Sequence, residues 1–314
     1  MVKSSFILGK TLEASVVIST YTIERLDDVL CCISSVKNQS LKPFEVILVL
    51  DPDEKLLQTY RSRVPHDVRI VVSDHLGLSH ARNAGVREAR GEFVAFIDDD
   101  AAADKKWLEK LLSNFSDPSV MGVGGNIIPV WESNRPFWFP EELDWIVGCS
   151  YKGLPERRST VRNPIGCNMS YRKKVFVLVG YFESDIGRSG NKLVSKEETE
   201  FSIRVLNKIP NSRMIYEPSS IVRHKVNKSR QDLKYIWRRS FYEGVSKVLM
   251  DSKSTSHVGR STENAYLEYL MKVAIPSRFR RIFRLDSICQ LFTLLLSMSG
   301  VLAGFLLAKI ERSW

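Results

Sequence analysis

Three consecutive carboxylates, Asp98, Asp99 and Asp100, close the apolar run FVAFIDDD, and a helix-like segment, WLEKLLSNF, begins shortly after. Adjacent like charges repel one another and gain nothing from packing, so stability alone does not account for them and an arriving cation does. A further carboxylate, Asp51 in VLDPDE, ends an earlier apolar run, and the small-residue segment GLSHARNAG at 77–85 carries Arg82. Divalent cations such as Mg2+ or Mn2+ take hard oxygen ligands and bind through one or two carboxylates plus the phosphates of a substrate. Asp98 and Asp100 on a sharp loop suit that chemistry and Arg82 adds positive charge, so the set reads as a site for a metal diphosphate.

Such residues need a scaffold that gathers strand ends. Apolar runs at 14–20, 44–51, 68–73 and 92–98 alternate with helical patterns near 25–37, 53–63 and 78–90. Val- and Ile-rich strands that are apolar on both faces and separated by helices predict a parallel sheet of βαβ units. The triplet then falls in a strand-to-helix loop at the carboxyl end of a parallel strand, where open α/β sheets bind ligands. Asp104 is the expected N-cap of the next helix, which carries Leu108, Leu111, Leu112 and Phe115 at helical spacing. Residues 122–225 are irregular and rich in Trp, Pro and Gly, as functional segments inside a compact domain often are. Trp131, Phe137, Trp138 and Trp145 suit either core packing or a lip that stacks on sugar or faces lipid. The first strand is followed by no G-x-G-x-x-G and the chain has no P-loop Gly-Lys-Ser/Thr, which excludes dinucleotide and ATP sites of those kinds.

The composition, 44% hydrophobic and 26% charged over 314 residues, is that of a globular protein. Its net charge of +10 is uneven, with Lys and Arg crowded toward the C-terminal third in RHKVNKSR, YIWRR and SRFRRIFR, a bias that suits an anionic membrane or nucleic acid. Residues 231–249 read as a basic amphipathic helix. Residues 287–308 carry no charge, and a segment of that length crosses about 30 Å of hydrocarbon as a helix or lies in the interface, which favours membrane lipids over nucleic acid as partner. Gly300 and Gly304 at GxxxG spacing suit close helix contact in lipid, a homodimer included. Arg278, Arg280, Arg281 and Arg284 before this segment outnumber Lys309 and Arg312 after it, which puts the main domain on the cytoplasmic side. The N-terminus has no signal-peptide pattern, and the five cysteines, Cys31, Cys32, Cys149, Cys167 and Cys289, form no CxxC pair and read as free thiols in a reducing compartment.

Taken in order, STYTIERLDDVLCCISSVKNQS, EVILVLD, LGLSHARNAGVREARGEFVAFIDDD and KEETEFSIRV resemble successive signatures of the family 2 inverting glycosyltransferases of the GT-A fold, over roughly residues 14–225. FWFPEELDWIVGCSYKG, RNPIGCNMSYRK and IVRHKV are similar to a narrower, largely archaeal branch of lipid-linked glucosyl or glucuronosyl transferases. The resemblance implies an α/β, GT-A-like catalytic domain at 1–225 with a mostly parallel sheet flanked by helices. A basic amphipathic helical extension at 226–285 and a transmembrane or membrane-inserted helix at 286–308 follow.

It also implies roles. Thr20, Tyr21, Arg25 and Asp51 match the nucleotide-binding edge, with Asp51 toward the base, and Arg82 lies near the phosphates. Asp98, Asp99 and Asp100 match the DXD motif of the donor site, Asp100 as metal ligand and Asp98 on ribose or metal, and His224 stands where some members supply a further metal or diphosphate ligand. Asn168 and Arg162 border the acceptor. The family's Glu-Asp motif, whose second carboxylate is the general base, is here Glu197-Glu198, which leaves open which Glu acts. The implied reaction is inverting, Mg2+- or Mn2+-dependent transfer of a hexose or hexuronic acid from a nucleotide-sugar, UDP-linked, to a hydroxyl of a lipid-linked or cell-surface glycan at the cell membrane. Two alternatives stand beside it. One is a polyprenyl-phosphate glycosyltransferase, whose ionised acceptor needs no base; the other is a basic protein that holds membrane or polyanion without catalysis.

Overall fold

The computed structural model describes residues 6–7, 10–184, 196–251 and 261–312. They fall into two compact units, one drawn from Met1–Ile128, Pro155–Lys192 and Glu197–His224, the other from Pro129–Leu154, Leu193–Lys196 and Lys225–Trp314.

In the first unit a short antiparallel pair, β1 (Phe6–Ile7) and β2 (Lys10–Thr11), precedes the main sheet. The chain then runs β3 (Ala14–Thr20), α1 (Leu26–Lys37), β4 (Glu45–Leu50), α2 (Glu54–Arg63), β5 (Val68–Val72), α3 (Leu78–Glu88) and β6 (Phe93–Asp98). Strands β5, β4, β3 and β6 lie side by side and parallel, as the alternating pattern predicts. Val16, Val17 and Ile18 are all buried, so β3 is core on both faces and reads as an unbroken apolar run. Asp53 caps α2 by accepting from the Leu56 N–H at 2.8 Å. Gly77 ends the loop before α3 at a φ of 117°, a conformation that a side chain would strain.

The other half makes the sheet mixed. β7 (Ala101–Ala103), β8 (Val120–Trp131), β9 (Ser159–Val161), β10 (Asn168–Arg172) and β11 (Arg213–Val226) extend it from β6 in the order β10, β8, β11, β7, with β9 also on β11. β10 is antiparallel to β6 and β8, and β11 to β7 and β9. All of these strands but β7 come mainly from the irregular middle segment, whose glycines and prolines break the alternation by which strands are read. β7 also corrects the expected strand-to-helix loop. Three alanines pair with β11 before the helix α4 (Trp107–Leu112) begins at the cap residue Lys106, and the Asp104 carboxylate, rather than capping, accepts from Arg223 at 3.0 Å. α5 (Lys173–Val179) and α6 (Glu197–Lys208) complete the unit. Phe176 stacks on Phe201 at 4.6 Å between ring centres, and the Tyr171 hydroxyl bonds to Ser202 at 3.1 Å, so α6 is fixed against β10 by a buried aromatic cluster. Part of the expected functional run GYFESDIGRSGNK, residues 185–192, lies outside the described residues.

The second unit is mainly helical, with α7 (Leu233–Asp251), α8 (Ser261–Tyr269), α9 (Ile275–Phe279) and α10 (Leu285–Arg312). α7 and α10 touch through glycines. A Cβ at Gly304 would stand 2.0 Å from the Phe241 carbonyl oxygen, one at Gly300 2.9 Å from that of Trp237, and one at Gly244 2.0 Å from that of Val301. The contacts advance together along both helices, so the pair runs parallel, and the buried Ser240 and Ser297 hydroxyls bond across it at 2.8 Å. The GxxxG face is therefore filled by α7 of the same chain. Among the described residues α10 is the one helix long and apolar enough to cross a membrane. It is two-faced: Leu291, Leu294, Ser297 and Ala308 are buried, whereas Ile288, Phe292, Leu295, Leu302 and Leu306 are exposed. Glu142 pairs with Arg278 at 2.6 Å, Asp144 with Arg135 at 2.7 Å and Glu243 with Lys196 at 2.7 Å.

Candidate active site

Strand pairing, not chain neighbourhood, assembles the site. β6 ends at Asp98, and the turn into β7 carries Asp99 and Asp100. β7 pairs with β11 so that Ala101 faces His224, which brings the His224 Nε2 to 3.1 Å from Asp100 Oδ1. β10 pairs with β6 so that Asn168 faces Ile97, and the residue before it, Cys167, arrives beside Asp98. One donor atom each of Asp98, Cys167 and His224 lies within 4.8 Å of the other two. Arg25, just ahead of α1, reaches Asp99 Oδ1 at 2.5 Å and Asp100 Oδ2 at 3.1 Å, with its guanidinium 5.4 Å from the centre of the Tyr21 ring.

Arg82 is the second cationic anchor. From α3 its Nη1 donates to Glu197 Oε1 at 2.8 Å, and its Nη2 donates to Asp98 Oδ1 at 3.2 Å and to the Gly166 carbonyl at 3.1 Å. A Cβ at residue 166 would stand 2.9 Å from that Nη2, so glycine lets the guanidinium lie against the backbone. Glu197 and Glu198 are neighbours in sequence but differ in setting. Glu197 is 2% exposed and held by Arg82, whereas Glu198 is partly exposed, with the Thr199 hydroxyl donating to its Oε1 at 3.3 Å.

The cluster is rich in acid. Asp98, Asp99, Asp100, Glu197 and Glu198 stand against the guanidiniums of Arg25 and Arg82. Burial pushes the Asp99 carboxyl up to about 6, against the pull of Arg25. Burial also works against the charge on Arg82, but Glu197 and Asp98 outweigh it and hold the guanidinium protonated. Burial raises Asp51, with the Gly77 N–H and His80 opposing it. Unbalanced carboxylates in a buried place are costly until a cation neutralises them. The Asp98 oxygen within 4.8 Å of the His224 nitrogen, and the Asp100 oxygen 3.1 Å from it, are donors of the kind that divalent ions accept.

The remaining expected residues divide. Buried Thr20 and exposed Tyr21 stand at the end of β3, and Asp51 follows β4. Asn168, expected beside the acceptor, is instead inside the sheet. Its Oδ1 accepts from Trp107 Nε1 at 2.8 Å, and its Nδ2 donates to the carbonyls of Asn126 and Ser220 at 3.0 Å, so it ties β10 to α4, β8 and β11. Arg162, after β9, is buried and donates from Nε to Asn163 Oδ1 at 2.8 Å. Cys167 is the member that sequence reasoning missed. Cysteine spacing carries no trace of it, and its signal was positional, as the residue ahead of a strand that pairs with IDD.

The sequence profile of glycosyl transferase family 2 matches residues 15–179. The chain is 32% identical over 283 residues to the glucosyl-dolichyl phosphate glucuronosyltransferase of Haloferax volcanii, across 89% of this chain and 90% of that one. It is 25% identical over 243 residues to the succinoglycan biosynthesis protein ExoM of Rhizobium meliloti, across 75% of this chain and 74% of that one. Among solved structures, that of GalNAc-T7 with UDP, GalNAc and Mn2+ superposes with a TM-score of 0.51 at 15% identity, over 84% of this chain and 56% of that chain, a GT-A-like likeness of fold.

Proposed function

The chain belongs to glycosyl transferase family 2, and from that membership we propose that it moves a hexuronic acid or hexose from a UDP-sugar to a hydroxyl of a sugar already carried on a polyprenyl phosphate, with inversion. Similarity along nearly the whole chain to a protein named for glucuronosyl transfer to glucosyl-dolichyl phosphate supports that acceptor class. The observation that carries the reading is the acid-rich cluster at Asp98, Asp99 and Asp100, with His224 and Arg82 turned into it.

In this reading Asp98, Asp100 and His224 would hold Mg2+ or Mn2+. A divalent cation so held stabilises the charge on the departing nucleoside diphosphate without proton transfer. Arg82 faces the phosphates, and Thr20, Tyr21, Arg25 and Asp51 form the nucleoside edge. Glu198 takes the proton from the attacking acceptor hydroxyl, because its carboxylate is accessible and that of Glu197 is held against Arg82. Glu197 instead fixes the Arg82 guanidinium. One base on the acceptor side and one displacement at the anomeric carbon give inversion.

The helical unit attaches the chain to the membrane, with the catalytic unit on the cytoplasmic side. The exposed stripe Ile288, Phe292, Leu295, Leu302 and Leu306 enters lipid, and the exposed Arg280, Arg281 and Arg284 meet headgroup phosphates. α10 packs along an α7 that exposes Lys234 and Arg238, and a pair crossing the bilayer would place those charges in hydrocarbon. An inserted, interfacial position for α10 follows in preference to a full span.

The test supplies purified protein with UDP-glucuronic acid or UDP-glucose and either glucosyl-polyprenyl phosphate or the bare polyprenyl phosphate. Transfer to the glucosylated acceptor is expected, with kcat reduced about a hundredfold or more in Glu198→Gln and nucleotide binding kept. Transfer to the bare phosphate that survives Glu198→Gln would overturn the hydroxyl acceptor.

A further inference from the structure

One thiol lies inside the acidic cluster. Cys167 is 3% exposed, and its sulfur, from the turn just before β10, lies with an Asp98 oxygen from β6 and a His224 nitrogen from β11 within 4.8 Å of one another. The sheet register holds them there, with Asn168 opposite Ile97 and His224 opposite Ala101. Asn168, which ties β10 to α4, β8 and β11 through Trp107, Asn126 and Ser220, also fixes the position of the residue next to Cys167. The other nearby thiol, Cys32, points elsewhere, its sulfur donating to the Asp98 backbone carbonyl at 3.5 Å.

Oxygen, nitrogen and sulfur donors gathered in this way differ from an all-oxygen site. Bonds of about 2.0 Å to oxygen and nitrogen and about 2.3 Å to sulfur, at tetrahedral angles, separate donors by about 3.5 Å, a contraction that side-chain rotation can make. Mg2+ demands near-ideal octahedral oxygen coordination and gains little from sulfur. Thiolate and imidazole favour later divalent ions, with affinity rising from Mn2+ through Co2+. Resting on the metal-diphosphate reading above, we propose that Cys167 is a ligand of the cation site beside Asp98 and His224, and that its sulfur tilts the site from Mg2+ toward thiolate-accepting ions such as Co2+ and Zn2+. Binding replaces the S–H bond by a sulfur–metal bond and releases one proton to solvent.

The test titrates Co2+ into the full chain and reads absorption, without any turnover. The wild type is expected to show a sulfur-to-cobalt charge-transfer band in the near ultraviolet together with the visible cobalt bands. Cys167→Ser loses the charge-transfer band, keeps the visible bands, and binds Co2+ about tenfold more weakly with Mg2+ affinity unchanged. His224→Ala weakens both sets of bands. Cys167→Ala, which adds no oxygen donor, repeats the loss, and a thermal melt of each variant checks folding. Co2+ bound without a charge-transfer band, or a band that survives in folded Cys167→Ser and Cys167→Ala, overturns the Cys167 ligand and leaves the site at Asp98, Asp100 and His224 standing. Failure of the wild type to bind any divalent ion, with UDP present or absent, overturns the metal reading and this inference with it.

Discussion

The two units both bury carboxylates, and they treat them differently. Among the described residues of the helical unit, Glu142 has Arg278, Asp144 has Arg135, and Glu243 has Lys196 and Arg239 as cationic partners. In the sheet unit Asp98, Asp99, Asp100, Glu197 and Glu198 share Arg25 and Arg82. Glu243 is raised by burial, yet Lys196 and Arg239 bring its carboxyl down to about 2, whereas burial wins at Asp99 and leaves it near about 6 despite Arg25. The residue types are the same in both places. Charge balance separates them: the acids of the helical unit are matched by cations, whereas the Asp98–Asp100 cluster, in the reading proposed above, would be completed by a bound cation.

Removing an acid should therefore have opposite consequences in the two units. Asp100→Ala is expected to lower sugar transfer about a thousandfold, the scale of several kcal/mol of lost charge stabilisation. Its melting temperature without metal should hold or rise, because a site built for function is relieved of excess charge. Glu243→Gln leaves Lys196 and Arg239 buried without their counter-charge, and urea denaturation should register a loss of about 3 kcal/mol. A stability loss in Asp100→Ala as large as that in Glu243→Gln would erase the distinction.

Gly304→Ala sharpens the contrast from the packing side. Its Cβ would meet the Phe241 carbonyl at 2.0 Å, and forcing α7 and α10 apart should cost about 1–3 kcal/mol in the same denaturation, with UDP binding unaffected. The pH dependence is the gentlest probe. The folded value of Glu243 lies below its ordinary 4.5, so its contribution is present above pH 4.5 and fades as pH falls toward about 2. Asp99 runs the other way: its raised value means that stability is lost as pH rises through about 6. Melting curves of Glu243→Gln should lack the acid-side loss that the wild type has.

Much of this was legible in the sequence where the signal was local. β3, β4 and β6 read as apolar runs because they are buried on both faces, while the edge strand β5 is only partly buried; the Asp triplet and Asp51 stand at strand ends, and Arg82 lies on α3. What escaped depends on partners distant in the chain. Ala101–Ala103 has no strand character of its own and becomes β7 only because β11 lies beside it, and that pairing delivers His224. Asn168, which the resemblance places beside the acceptor, has its amide held inside the sheet by Trp107, Asn126 and Ser220, partners distant in the chain. Gly300 and Gly304 announce a close helix contact without saying whose, and α7 turns out to supply it.

The central claim, that the acid excess at Asp98, Asp99 and Asp100 is a metal diphosphate site, is met most directly by calorimetric titration of UDP into the purified chain with and without Mn2+, in wild type and in Asp100→Ala. UDP binding that requires Mn2+ and disappears in the folded variant is the predicted result. Binding that ignores Mn2+, or that persists unchanged in Asp100→Ala, would contradict it.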